Sequence, residues 1–400
     1  MNRSGTNKAN PIIFFLAFIL SAFGFEFILF IMTVHIYKLT GSPLNVGIFT
    51  TLAYLPRIFS QYYGVIIDKY NRKLFFAFSN LAISILLIDM AFTKNIYTIY
   101  VLWFLISFFA IIILTSRTAA LTDVVNKNNY VKGNAIALTM LNAAKLFGPL
   151  IGGLIASSTN IVVIFYFTSA IYFFSFFLVL SLKLPASHKS GEGTVNTINE
   201  HIAEGLRYMF GNPTLRFLAS IVFSWRLFFG LQVSLFVVYV ESYLNLGAQE
   251  YGFFMTCVGI GSLLGGFIGL KVATNIDGYK LMLWGLSIHF LSFALLGMIR
   301  NYYVAIAIQI VSYALLYMSV VGTHTIRDTA VKAEMRGRVM GSITAIVAPP
   351  AIISMIAGSY LAERYGVQNV LIASGILGFL TLNLFYHFFS KRYSLLRITT

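Results

Sequence analysis

The sequence has few charged residues, few acidic residues and a single cysteine, and these shortages exclude several classes of protein. Only 10% of the 400 residues are charged, whereas a soluble domain has about 25%. So few charges cannot cover the surface of a soluble protein, which excludes a cytosolic enzyme, a secreted domain and a disordered chain. Cys257 has no second cysteine to pair with, so no intrachain disulfide can form.

Hydrophobic residues make up 58% of the chain and aromatic residues 16%, a composition typical of helices in a lipid bilayer. A helix needs about 20 apolar residues to cross the bilayer. Twelve stretches predict membrane spans, at residues 11–37, 44–67, 74–93, 96–116, 131–157, 160–183, 214–240, 250–271, 279–299, 301–324, 339–361 and 367–389. The first is too long for a signal-peptide core, so we expect it to be retained.

The positions of Lys and Arg between the spans predict the orientation of the chain. With the N-terminus inside the cell, four of the 28 basic residues lie in segments that face outside: Lys38, Lys94, Arg300 and Arg364. Cytoplasmic loops are rich in Lys and Arg, so we expect a multi-pass membrane protein with both termini cytoplasmic. The abundance of Phe, Ile, Asn and Lys indicates that the membrane is that of a bacterial cell. The net charge of +15 is not clustered as nucleic-acid binding requires.

A polar segment, residues 184–212, divides the chain into two halves of six predicted spans each, residues 1–183 and 213–400. The apolar residues of 197–210 fall on one helical face, which predicts an amphipathic helix on the inner membrane surface. Similar features recur about half a chain apart, such as Gly148-Pro149 in span five and Pro349-Pro350 in span eleven. This offset indicates two parallel repeats, as some transporters have.

The turn after span two contains a glycine, an aspartate and several basic residues, from Gly64 to Lys73 with Asp68, Lys69 and Arg72 between them. An ordinary cytoplasmic loop explains the basic residues. It does not explain the aspartate, nor the glycine one helical turn before it, which lets another helix approach the same face.

Span five contains a second motif, Gly148-Pro149-Leu-Ile-Gly152-Gly153. Small residues let two helices touch, and a proline fixes a bend that can seal one side of a pathway. Simple helix packing would explain the same residues. Lys145 lies one turn before the motif, and we expect it to have a structural and gating role.

These motifs resemble those of the major facilitator superfamily. The first fits the loop 2–3 signature of that family at every specified position, and the second resembles the antiporter motif of its exporters, with Ala144 in place of one glycine. The pattern around Arg117 and Asp123 resembles most the branch of macrolide efflux proteins and enterobactin-type exporters. The second half departs from the first, because Leu270 stands where the counterpart of Asp68 would be.

The resemblance implies an all-α membrane protein of twelve helices in two six-helix bundles, which rock about a central site. It implies a transporter and no enzyme, with a small-molecule substrate, protons as the coupling ion and no cofactor. We expect a monomer in the lipid bilayer, with efflux of an amphipathic, macrolide-like drug in exchange for protons. The residues that the resemblance assigns to gating are Gly64, Asp68, Lys69, Arg72, Lys73, Arg117, Asp123, Lys145, Gly148, Pro149, Gly152, Gly153, Arg327, Arg336 and Arg338.

Charged residues inside the spans are candidates for coupling, because each costs roughly 2.5–3.5 kcal/mol at a helix centre and needs a partner, water or a function. Glu26 lies in the middle of span one and can carry a proton or contact a cationic substrate. We expect Arg57 and Arg226 to tune it. Asp89 and Glu241 lie near the outer ends of spans three and seven, as edge charges or as members of a proton path.

Other readings of the same residues stay open. Glu26 can be a structural carboxylate, and Arg226 a member of an ion pair. His289 and His324 can titrate or simply accept hydrogen bonds, and no residues have the spacing of metal ligands. The cargo can be a self-made siderophore or peptide, in which case Arg57 and Arg226 matter more than Glu26. A facilitator, an importer or a non-transporting sensor on the same fold is the remaining alternative.

Overall fold

The computed structural model describes residues 9–69, 71–125, 129–183, 195–332 and 335–393, and in these ranges all regular structure is helical. The helices are α1 (Ala9–Thr40), α2 (Pro43–Tyr54), α3 (Ser60–Lys69), α4 (Arg72–Phe92), α5 (Ile96–Val124), α6 (Tyr130–Ala156), α7 (Ile161–Ser181), α8 (Val195–Gly211), α9 (Pro213–Val238), α10 (Ala248–Val272), α11 (Gly278–Met298), α12 (Tyr302–Ala330), α13 (Arg336–Tyr365) and α14 (Val367–Tyr393). A 3-10 turn, Leu55–Phe59, joins α2 to α3, and a π-turn, Tyr239–Tyr243, continues α9.

Eleven of the described helices are long and apolar enough to cross a membrane, which confirms the prediction of a multi-pass, all-α membrane protein. Several connections between them are short and polar, such as residues 93–95, 157–160 and 299–301. Asparagines before α4, α5, α7, α9 and α12 accept hydrogen bonds from the first backbone N–H groups of these helices, and so fix where each helix begins. They are Asn71, Asn95, Asn160, Asn212 and Asn301.

The second predicted span, residues 44–67, is not among these eleven helices. In the structure it consists of α2, the 3-10 turn and α3, with Pro56 at the start of the turn. Proline has no N–H to donate, and its ring restricts the residue before it, so the helix is interrupted there. The count of twelve spans therefore stays a prediction.

The described residues divide into two compact units. Unit 1 comprises residues 1–33 and 52–195, and unit 2 comprises residues 34–51 and 196–400, as far as each range is described. In unit 1, α4 packs against α5 and α7. In unit 2, α12 packs against α10 and α11, and α13 packs against α9. The predicted division at 1–183, 184–212 and 213–400 stays a prediction, and the structure groups the end of α1, the start of α2 and α8 with unit 2.

Hydrogen bonds between side chains join the helices of unit 1. The Ser21 hydroxyl on α1 donates to the Asn80 side chain on α4 at 2.7 Å and lies 2.9 Å from the Ser175 hydroxyl on α7. A second pair, Ser84 and Ser169, joins α4 and α7 at 2.8 Å. Small polar residues let helices approach closely and bond to each other where lipid offers no alternative partner.

The linker helix α8 lies against α13 in unit 2. Gly205 contacts the backbone of Arg338 so closely that a side chain has no room there. The Ser342 hydroxyl on α13 donates to the carbonyl oxygen of Ile202 at 2.9 Å, and Met209 is fully buried. The apolar face of α8 thus packs on protein, and its contact with the inner membrane surface stays a prediction.

Candidate functional site

Glu26 lies in the middle of α1, where α6 packs closely on the backbone of this helix. A Cβ at Gly148 would lie 3.0 Å from the carbonyl carbon and Cβ of Glu26 and from the nitrogen of Phe27. One turn further along α6, a Cβ at Gly152 would lie 2.6 Å from the ring of Phe30. Gly148 and Gly152 of the second motif therefore lie on the surface of α6 that packs on α1. Glu26 contacts this surface at Gly148.

Two cations lie within electrostatic range of Glu26, Lys145 with the larger effect and Arg57 with the smaller. Lys145 is on α6, one turn from Gly148, and Arg57 is in the 3-10 turn after α2. Within the described part of the chain, Glu26 forms no direct ion pair. The structure thus brings together three of the charged residues that the sequence singled out, with two cations in electrostatic range of one carboxylate.

Arg57 has a partly satisfied guanidinium group. Its Cζ lies 4.4 Å from the centroid of the Tyr54 ring, and its buried Nε has no hydrogen-bond acceptor among the described residues. A cation held over a ring keeps its charge while most of its donors stay available. Because α2 ends just before this residue, the break at Pro56 sets the position of Arg57 relative to Glu26.

Aromatic residues surround this part of α1. Phe23 stacks on Phe27 with ring centroids 5.6 Å apart, and Phe25 stacks on the fully buried Trp103 of α5 at 6.0 Å. The sequence did not single out Tyr172 of α7, whose hydroxyl donates to the carbonyl oxygen of Ser21 at 3.1 Å. Tyr172 has aromatic and other apolar residues on both sides, so no local pattern distinguishes it from its neighbours.

Unit 2 has a similar arrangement on α9, the helix that the sequence predicts to be the repeat of α1. The guanidinium of Arg226 lies 4.6 Å from the ring centroid of Trp225 and 5.2 Å from that of Phe229. Gly230 lies directly against the backbone of Ala351 on α13, the helix that contains Pro349 and Pro350. In unit 1, α6, which contains a proline, packs against the backbone of α1, which bears Glu26. In unit 2, α13, which contains two prolines, packs in the same way on α9, which bears Arg226.

A buried polar cluster lies further along α9. The Gln232 amide nitrogen is 3.2 Å from Nε2 of His289, whose Nδ1 is 2.8 Å from the Ser312 hydroxyl. The Tyr313 hydroxyl donates to the Gln232 side-chain oxygen at 3.3 Å, so the Gln232 nitrogen is left to donate to His289. His289 is fully buried and has both ring nitrogens paired, which favours the structural interpretation of this residue. His324 is exposed on α12.

The structure places some of the predicted gating residues in contact and separates others. Arg72 forms an ion pair with Asp123 at 3.2 Å, between the start of α4 and the end of α5. Arg117 lies apart from this pair, buried with its Cζ 4.3 Å from the centroid of the Phe18 ring. The side chains of Gly64, Asp68 and Lys69 lie outside the described part of the chain.

Most of the remaining candidates lie near the ends of helices. Arg327 pairs with its neighbour Asp328 at 2.8 Å, and Arg338 pairs with Glu204 of α8 at 2.5 Å. Lys73 is in the first turn of α4, Asp89 is exposed on α4, and Glu241 is half-buried in the π-turn. Pro149 lies inside α6 and Gly153 is buried. The side chain of Arg336 lies outside the described part. Among the described residues, no group of three or more His, Cys, Asp or Glu could hold a metal ion.

The sequence profile of the Major Facilitator Superfamily matches residues 14–348, most of the chain. The chain belongs to the major facilitator superfamily. It is therefore a membrane transporter by family, as the motifs predicted, and its relatives in this family include proteins of several named functions.

Three relatives cover most of the chain at low identity. The uncharacterized MFS-type transporter YfiS of Bacillus subtilis is 25% identical over 366 residues, which are 88% of this chain and 86% of YfiS. The enterobactin exporter EntS of Shigella flexneri is 23% identical and covers 78% of this chain and 75% of EntS. The multidrug resistance protein MdtG of Proteus mirabilis is 22% identical over 98% of both chains. The resemblance to the exporter branch is thereby confirmed at the level of the family.

Solved transporters share the fold. A mutant of the nucleoside transporter NupG superposes with a TM-score of 0.80 at 12% identity, covering 94% of this chain and 99% of NupG. A bacterial homologue of the lysosomal transporter Spinster superposes with a TM-score of 0.75 at 13% identity, covering 98% of each chain. At these identities the similarity establishes the fold and leaves the substrate to be argued from the residues.

Proposed function

We propose that this chain exports a small amphipathic molecule in exchange for protons. The observation that carries the proposal is the arrangement around Glu26, a carboxylate in the middle of α1 with Lys145 and Arg57 in electrostatic range and no direct ion-pair partner among the described residues. On this proposal the chain has twelve spans with both termini in the cytoplasm, and two six-helix bundles alternate access to the site.

The exchange follows from the chemistry of one carboxylate. A proton and a cationic group of the substrate compete for the same oxygens, so Glu26 holds either one or the other. Phe23 and Phe25 of α1 are half-buried and stack on the buried rings of Phe27 and Trp103, and they offer apolar and cation–π contacts to the rest of an amphipathic ligand. Because α6 contacts the backbone and Cβ of Glu26 at Gly148, next to Pro149, a change in the bend of α6 there would displace the residue that bears the carboxylate.

A second candidate function is the export of an anionic metabolite such as a siderophore. Arg226 supports it, since a guanidinium framed by Trp225 and Phe229 suits a planar or acidic group. The similarity to EntS, named as an enterobactin exporter, also supports this candidate. The two functions differ in which charge they require, Glu26 for a cationic cargo and Arg226 for an anionic one.

Transport by the purified protein in liposomes tests the proposal. A pH-sensitive dye inside the vesicles reports proton movement when a macrolide, another cationic amphiphile or a catechol siderophore is added under an imposed proton gradient. We expect proton movement with the cationic compounds and its loss in Glu26→Gln. Glu200→Gln is the matched control, because it removes an exposed carboxylate of α8 that has no role in the proposal.

Each outcome decides between the candidates. If only the siderophore causes proton movement, and this movement is lost in Arg226→Gln but kept in Glu26→Gln, the transported molecule is anionic and the second candidate function holds. Exchange of a labelled compound without any proton movement would mean a facilitator and would contradict proton coupling. Accumulation along the inward direction would contradict efflux.

A further inference from the structure

The charged residues around Glu26 give this part of unit 1 an excess of positive charge. Lys145 and Arg57 both lie in electrostatic range of the Glu26 carboxylate, and Lys145 has the larger effect on it. With Glu26 ionised, two positive charges face one negative charge. Charges at membrane depth need a partner or water, so one of the two cations is available to pair with a negative group that enters from outside the protein.

The exposed residues of α6 show which side of this helix a polar ligand can reach. Ile136 and Phe147 lie on one exposed face, as apolar residues against lipid do. Leu138, Asn142 and Lys145 lie on another exposed face, about 120° or more around the helix at 3.6 residues per turn. Lys145 is in the middle of α6, and ionisable residues at that depth face the bundle interior or a water-filled cavity. The face with Lys145 is therefore the one that lies against water and ligand.

Arg57 is arranged to bind a planar acidic group. Its Cζ lies 4.4 Å from the centroid of the Tyr54 ring, and both residues are half-buried. Its Nε is buried and meets no acceptor in the part of the chain that the structure describes. A guanidinium carries five donors in a rigid fork that matches a carboxylate through two parallel hydrogen bonds. Because the ring of Tyr54 already holds the guanidinium, less side-chain freedom is lost when such a group binds.

An aromatic surface accompanies the carboxylate on α1. Phe23 lies three residues before Glu26, so the two side chains are neighbours on one face of the helix. Phe23 is half-buried and stacks on Phe27 with ring centroids 5.6 Å apart. The same part of unit 1 therefore offers a carboxylate, an aromatic ring and a guanidinium.

We propose that the molecule bound here is an amphipathic zwitterion, an aromatic acid that also bears a basic amine, with its amine on Glu26 and its acidic group on Arg57. A purely cationic molecule would pair Glu26 and leave both protein cations without a negative partner. An acidic group on the same molecule pairs one of them. Lys145 has the larger effect on Glu26 and balances that carboxylate, so Arg57 is the cation that binds the ligand.

This inference deepens the proposed function. The amine half rests on the proposed exchange of a proton for a cationic group at Glu26. The acidic half rests on Arg57 and is independent of proton coupling. Arg57 thereby becomes a specificity-determining residue, which distinguishes zwitterions from simple cations of the same shape.

Binding of three matched compounds to the purified full chain tests the inference. The first is a fluoroquinolone with a carboxylate and a piperazine amine, both charged near neutral pH. Its ethyl ester lacks the negative charge, and its N-acetyl derivative lacks the positive charge. Equilibrium dialysis in detergent near neutral pH compares the unmodified chain with Arg57→Gln, Arg57→Lys and Glu26→Gln. Arg207→Gln, which removes an exposed arginine of α8, is the matched control.

We expect the unmodified chain to bind the zwitterion about tenfold or more tightly than either derivative. Arg57→Gln should weaken the zwitterion and the N-acetyl derivative by about 10- to 100-fold, because each loses hydrogen bonds between charged groups. The same variant should bind the ester at least as tightly as before, which also shows that it is folded. Arg57→Lys keeps the charge without the fork and should lose less. Glu26→Gln should weaken the zwitterion and the ester but not the N-acetyl derivative.

An ester that binds the unmodified chain as tightly as the zwitterion would overturn the proposal. So would zwitterion binding by Arg57→Gln that equals binding by Arg207→Gln. Binding with the expected pattern in a chain that moves no protons in liposomes would overturn the proposed proton exchange and leave the recognition of zwitterions standing. Proton movement with the ester that exceeds movement with the zwitterion and persists in Arg57→Gln would support the exchange at Glu26 and overturn this inference.

Discussion

Gly148→Ala places a methyl group between α6 and the residue on which the proposed coupling depends. The added Cβ would lie 3.0 Å from three atoms of α1, the carbonyl carbon and Cβ of Glu26 and the nitrogen of Phe27. Carbon atoms in ordinary contact are about 3.5–4.0 Å apart, so the two helices must separate locally by about half an ångström or more. These atoms belong to the backbone and the first side-chain carbon, so a rotamer change cannot relieve the contact.

The net effect is the difference of two terms. Overpacking of this kind destabilises the folded protein by about 1–3 kcal/mol. The replacement of glycine by alanine within a helix stabilises the helix by about 1 kcal/mol. We therefore expect Gly148→Ala to lower the free energy of unfolding by up to about 2 kcal/mol. Because the displaced atoms include Glu26, we expect transport to fall more than stability does.

Thermal unfolding of the purified protein and proton-coupled transport in liposomes measure the two effects. Gly266→Ala is the matched control, since Gly266 lies inside α10 with open space where its Cβ would be. Gly152→Ala should be milder in transport, because the ring of Phe30 can rotate away. If Gly148→Ala has the same unfolding temperature and the same transport rate as Gly266→Ala, the close packing of α6 on Glu26 has no role in stability or transport.

Three further predictions concern other charged and buried residues. Asp68→Asn should reduce transport without changing membrane insertion, which is measured as the amount of folded protein in the membrane. Normal transport by this variant would mean that Asp68 has no role in gating. The side chains of the Arg72–Asp123 ion pair are 17% and 27% exposed. A double-mutant cycle on thermal unfolding should therefore give a coupling free energy of no more than about 1 kcal/mol. A coupling free energy of zero would mean that the ion pair does not persist. His289→Ala leaves buried hydrogen-bonding groups unpaired and should destabilise the protein by about 1–3 kcal/mol without changing transport per folded molecule; a selective loss of transport would assign His289 to coupling.

The sequence predicted the helical spans and the family well, because both depend on local composition. Long apolar runs, asparagines at helix starts and basic loops specify each helix within its own segment. The pairing of Arg72 with Asp123 was also within reach, since the family resemblance placed both at the same end of neighbouring helices. The interruption at Pro56 was not predicted, because the residues on either side of it are apolar enough for one continuous span.

Contacts between distant segments were beyond sequence reasoning. Glu204 lies 134 residues from Arg338, with which it pairs, and its position in the polar linker resembles that of any solvated charge. Tyr172 and the glycines of α9 and α13 likewise lie in apolar runs whose inward and outward faces have the same composition. The sequence could name Glu26, Lys145 and Arg57 as unusual, but their proximity follows from the packing of α1 on α6 and from the turn at Pro56.

The central claim is that Glu26 exchanges a proton for the transported molecule. The most direct measurement is the release of protons from the purified protein in weakly buffered detergent solution when a cationic amphiphile that it transports is added. The unmodified protein should release protons as the compound binds, and Glu26→Gln should bind the compound more weakly and release none. Equal proton release by Glu26→Gln and the unmodified protein would contradict the claim and assign the exchange to another residue.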